Sequence, residues 1–151
     1  MTDRTSAAAP VLLTTVLLTA GLSLAVLVTA VLVVGVLAFA APDFASSKGF
    51  YWTSAAVAVL IQIPTGLFAA RVGAPRLRRV GVSSGRSLLI LCALGPAVLA
   101  LLANARPIED VPPVVHTLLP VCAVILGAMV GLRTLPGASS PRRKRANASL
   151  Y

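Results

Sequence analysis

Residues 10–41 read PVLLTTVLLTAGLSLAVLVTAVLVVGVLAFAA, a run without one charged side chain inside an uncharged stretch from Thr5 to Pro42. A helix crosses a hydrocarbon core of ~30 Å with roughly 20 apolar residues. At a rise of ~1.5 Å per residue this run is ~45 Å long, so it must tilt or project beyond the bilayer against something else. Pro10 is suited to the start of the helix. Three further uncharged runs follow, Gly49 to Ala70, Ser87 to Ala105 and Val111 to Leu132, each long enough to span. The expected architecture is all-α and polytopic, with four transmembrane helices in residues 10–132. A polar lead over 1–9 precedes them, and a basic tail over 133–151, expected to be disordered in isolation, follows.

The charges divide by side. Eleven of the thirteen Lys and Arg residues fall on one side of the spans: Arg4, the cluster Arg71, Arg76, Arg78, Arg79 and Arg86, and Arg133, Arg142, Arg143, Lys144 and Arg145. Only Lys48 and Arg106 lie on the other side, with Asp43, Glu109 and Asp110. Short loops rich in Lys and Arg stay in the cytoplasm. Both termini are therefore expected inside, with loops 43–50 and 104–110 outside. The Ala, Val, Leu, Gly and Arg bias suggests a GC-rich bacterial genome, which makes the bacterial plasma membrane the expected location.

Composition closes off other classes. With 58% apolar and 11% charged residues and a mean hydropathy of +0.94, nothing remains for a domain folded in water. The net charge of +9 sits in two membrane-flanking clusters. Arg76, Arg78 and Arg79, with Arg142, Arg143, Lys144 and Arg145, thus face anionic lipid or a partner rather than nucleic acid. Cys92 and Cys122 both lie in apolar spans, where thiols act as small hydrophobes. Ala38-Phe39-Ala40 before Ala41 has the form of a signal cleavage site. The apolar stretch before it is about 28 residues against ~7–15 for a signal peptide, so an uncleaved helix is expected.

Prolines and glycines punctuate the remainder. The second helix is expected over Tyr51–Ala70, followed by a basic loop over 71–86 broken by Gly73, Pro75, Gly81 and Gly85. The third, from Ser87 to Ala103, should kink at Gly95-Pro96. A short loop over 104–110 makes a hairpin with the fourth, which Pro112 and Pro113 open and Pro120 bends. Five of the seven aromatics (Phe39, Phe44, Phe50, Tyr51 and Trp52) cluster at the outer end of the first two helices, as an interfacial belt does.

Small residues recur every fourth position: Gly21, Ala25 and Thr29; Ala58, Gln62, Gly66 and Ala70; Ala93 and Ala97; Ala123, Gly127 and Gly131. That spacing lets helix backbones approach where lipid gives no hydrophobic drive. Gly21 and Ala25, or Ala123, Gly127 and Gly131, are the candidate docking stripes, for packing within the bundle or onto another subunit. Gln62 is the strongly polar side chain near mid-membrane, and Pro64 frees the Leu60 carbonyl in the same turn. His116 follows Glu109 and Asp110 without metal-ligand spacing, and a hydrogen bond to neighbouring backbone is its expected role.

Neither catalysis nor a cofactor is expected. No nucleophile sits with a base and an orienting group, and no metal-ligand pattern is present. No span carries the carboxylate that proton-coupled carriers place in the membrane. Small multidrug-resistance transporters are similar in having four short helices, but they rely on a Glu in the first, and here that helix is uncharged.

The four spans, the opening Met1-Thr2-Asp3-Arg4, the basic second loop and the Arg142–Arg145 tail together resemble small four-helix accessory subunits of actinobacterial envelope complexes. The resemblance is to the subunit that accompanies Mce-type lipid importers. It implies integral membrane permease subunits as partners, with a cytoplasmic ATPase below, and it carries over no functional residue. The expected function is a non-catalytic, stabilising subunit of an inner-membrane lipid transport assembly. The alternatives are a small oligomeric channel or transporter using Gln62, or a subunit of a respiratory or cell-wall synthesis complex.

Overall fold

A computed structural model describes residues 3–106 and 111–135. The elements are α1 (Asp3–Ala40), a short α2 (Pro42–Ala45), α3 (Lys48–Arg79), α4 (Gly85–Ala103), a wide π-type turn (Val114–Leu118) and α5 (Leu119–Arg133). No strand occurs among the described residues. Among the described residues, four helical segments are long and apolar enough to cross a membrane: Ala9–Ala40, Lys48–Arg79, Gly85–Ala103 and Val114–Arg133. Glu109, Asp110 and the basic tail Arg142–Arg145 lie outside the described residues.

The first helix does not begin at Pro10. It starts at Asp3 and takes in most of the expected polar lead, with the proline inside it. At ~1.5 Å per residue its 38 residues extend ~57 Å, well beyond one hydrocarbon thickness.

The basic loop expected over 71–86 is mostly helix. α3 runs without a break through Pro64 and Pro75 to Arg79. The connection to α4 is only 80–84, turned by Gly81 at a φ of 91°. The cause is periodic burial. Gly66, Ala69, Ala70, Gly73, Ala74 and Leu77 all face inward, while Arg71, Arg76, Arg78 and Arg79 point away. Spacings of three and four along one face are the signature of a packed helix. Here that packing outweighs the missing amide of Pro75.

The segment over 43–50, expected outside, is likewise not an open loop. α2 and the first turn of α3 fill most of it. Ser47 caps α3: its Oγ accepts from the Phe50 amide at 3.3 Å and donates to the Phe44 carbonyl at 2.6 Å. The Phe44 and Phe50 rings then meet edge to face at 5.8 Å. In the last span, the π-type turn precedes Pro120, which sits at the start of α5. Widening the helix at this point accommodates a residue with no N–H to give the preceding turn.

Close backbone contact holds the bundle together. A Cβ on Gly66 would collide with the Val124 carbonyl oxygen, and one on Gly127 with the Ile63 carbonyl oxygen. On Gly131 it would stand 2.7 Å from the Leu67 carbonyl oxygen. The crossing of α3 and α5 is therefore a mutual glycine seam. α4 seats on α1 in the same manner, with a Cβ on Gly95 placed 3.0 Å from the Val16 carbonyl oxygen. The core is densest toward the basic end, where Ala70, Ala74, Leu77, Leu88, Cys92 and Ala128 are all buried.

Candidate functional site

α1 joins this bundle through one half only. From residue 9 onward its buried residues are Thr15, Thr19 and Ser23, four positions apart on one face. The hydroxyls of Thr15 and Thr19 bond back to the carbonyls of Val11 at 2.7 Å and Val16 at 3.0 Å, so both enter the packed interior with a partner. From Leu24 to Ala40 no residue of α1 is buried. Only 6% of the apolar window of α1 is covered by the rest of the chain, against 33% to 39% for the other three spans.

Two features follow from that departure. The first is an uncovered helix face. Leu17, Leu24, Val28 and Leu32 are exposed, and so are Gly21 and Ala25. A Cβ on Gly21 meets nothing within 4 Å. The second is a crevice of about 500 Å³ between α1 and α3, with Ala103 and Asn104 also in its lining. Leu27, Val31 and Val34 form one wall; Val57, Ala58 and Ile61 form the other. No charged side chain lines it, and its polar groups are those of Ser54, Gln62 and Asn104.

Gln62 is the anomaly of the crevice. It is only 2% exposed, and its Oε1 is buried without a hydrogen-bond partner. An unmet buried acceptor costs ~1–3 kcal/mol. Its neighbours do not share the problem: Thr65 donates to the Ile61 carbonyl at 2.8 Å, and Asn104 Nδ2 to the Ala100 carbonyl at 2.7 Å.

The other candidate residues separate clearly. Ala123, Gly127 and Gly131 are buried, the two glycines directly against α3, so that stripe is occupied within the chain. Gly21 and Ala25 are not. Arg78 comes together with Arg86 of α4 and Arg133 of α5 around a hollow of about 390 Å³ floored by Leu88, Leu89, Met129 and Leu132. Arg76 and Arg79 are exposed outside it. His116 is buried, and its Nδ1 donates to the Pro112 carbonyl at 3.2 Å. Among the described residues no group of His, Cys, Asp and Glu could hold a metal ion. Cys92 is buried and Cys122 exposed.

The sequence contained signals that outrank composition. Thr15, Thr19 and Ser23 repeat every four residues, as polar residues facing a helix interface do. The joining of Arg78, Arg86 and Arg133 needed the ends of three helices in space. No family model, curated protein or solved structure matches this chain.

Proposed function

We propose that this protein is a non-catalytic subunit that docks through the free face of α1 onto a larger bacterial plasma-membrane complex, with both termini in the cytoplasm. The observation that carries the proposal is the coverage of α1. It is the longest and most apolar helix of the chain, yet it gives the bundle only the half around Thr15, Thr19 and Ser23. Gly21 and Ala25 lie on its uncovered surface. Small residues there let a partner helix approach closely.

An integral permease-type subunit of a lipid transport assembly is the partner we favour, with a cytoplasmic ATPase beneath the basic end. The resemblance to accessory subunits of Mce-type importers supports that choice over a respiratory or cell-wall complex. An anionic leaflet would meet the arginines at the same end.

An oligomeric channel or carrier built around Gln62 is less well supported. A side chain 2% exposed inside a single bundle does not line a pore between copies. The test is affinity purification from native membranes in mild detergent. Integral membrane partners should co-purify, and Gly21→Leu should reduce their recovery while leaving insertion intact. A chain that runs alone, or only with itself, would refute the subunit role.

A further inference from the structure

We infer that the hollow between Arg78, Arg86 and Arg133 is a discrete site for one lipid phosphomonoester, its phosphate held by the three guanidiniums and its acyl chains starting over the apolar floor. The inference does not depend on α1 having a protein partner.

The level of the hollow sets the kind of ligand. Arg86 and Arg133 each stand one residue outside an uncharged span, Ser87 to Ala105 and Val111 to Leu132. Arg78 joins them from α3, because that helix runs on past its own uncharged stretch to Arg79. The floor residues Leu88, Leu89, Met129 and Leu132 all belong to the two spans. Leu88 is buried and the other three are half-buried, so the floor still presents apolar surface. The hollow thus straddles the boundary between headgroups and hydrocarbon, and its occupant has a charged part and an apolar part in that order. Its volume of about 390 Å³ lies within the ~300–1,000 Å³ range of small-molecule sites.

Charge then fixes the head. The three arginines come from three helices and are exposed. Among the described residues none of them makes an ion pair with a carboxylate. Three like charges around one hollow repel one another, and an anion among them turns that repulsion into attraction. A choline headgroup would bring a further cation. A phosphodiester such as phosphatidylglycerol brings one negative charge, whereas a phosphomonoester brings about 1.5 to 2 at pH 7, with three acceptor oxygens. Guanidinium forks engage phosphate oxygens in pairs, so three forks suit the monoester better. Inorganic phosphate has the same head but no chain, and it would leave the floor uncovered.

Phosphatidic acid and phosphatidylmethanol with identical acyl chains differ by one methyl group and the charge it removes. The full-length protein in mild non-ionic detergent is titrated with each at neutral pH, and bound lipid is counted by native mass spectrometry. One phosphatidic acid per chain should bind about fivefold more tightly than phosphatidylmethanol, the factor that one further charge pairing at a basic surface supplies. Arg78→Gln, Arg86→Gln and Arg133→Gln should each shrink that ratio. Arg76→Gln removes an exposed charge of α3 outside the hollow and should leave it intact. A large excess of inorganic phosphate should not displace the lipid. Equal affinity for the two lipids would overturn the inference. So would a ratio that falls as far with Arg76→Gln, the mark of a diffuse basic surface, or displacement by inorganic phosphate, the mark of a site for the free ion.

Discussion

Gly127 and Ile63 stand so close that a Cβ on the glycine would collide with the isoleucine carbonyl oxygen, and Gly66 stands in the same relation to Val124. Two helices approach this closely only where each offers the other bare backbone. The α3–α5 seam is therefore a structural joint of the chain itself, and the Gly127 and Gly131 stripe is occupied within it.

Gly127→Leu should consequently destabilise the isolated protein. Overpacking a fitted site costs ~1–3 kcal/mol, and here the obstacle is backbone, which yields less than a side chain. Gly21→Leu, in open space, should stay within about 0.5 kcal/mol of wild type. Unfolding both variants in mixed micelles of mild detergent and dodecyl sulfate measures the contrast. Equal stabilities would mean that the seam is looser than described.

The charge asymmetry predicts the orientation, and direct labelling tests it. In a background of Cys92→Ala and Cys122→Ala, single cysteines at Ser47 and Ala105 should react with a membrane-impermeant maleimide on intact cells. A cysteine at Ser83 should react only after permeabilisation. The reverse pattern would turn the protein over in the membrane.

Arg78, Arg86 and Arg133, drawn from three helices around one hollow, should select anionic phospholipid. Each basic residue near the surface contributes ~1 kcal/mol. Changing all three to Gln should erase most of the preference for phosphatidylglycerol over phosphatidylcholine among lipids retained on the purified protein. High salt should weaken the wild-type preference in the same direction. Retention that ignores both treatments would assign the hollow to packing alone.

What could be read from the residues, and what could not, has a common cause. Uncharged runs fix the spans because a bilayer leaves backbone no alternative to helix. Gly73 and Pro75 predict a break after Ala70, yet α3 continues to Arg79, because Ala70, Gly73, Ala74 and Leu77 keep helical spacing on one buried face. Gln62 stood out as a lone polar residue at depth, but its unmet oxygen and the crevice around it depend on where α1 leaves the bundle. Nothing in the uniform run of residues 10–41 marks that point except the last inward-facing hydroxyl, Ser23.

The most direct test places a photocrosslinking amino acid at Ala25, on the free face of α1. An identical probe at Ala123, buried in the bundle, is the control. In native membranes the Ala25 probe should yield an adduct with a different integral membrane protein, and the Ala123 probe should yield none. Absence of any adduct at Ala25, or an adduct only with a second copy of the chain, would contradict the docking role of α1.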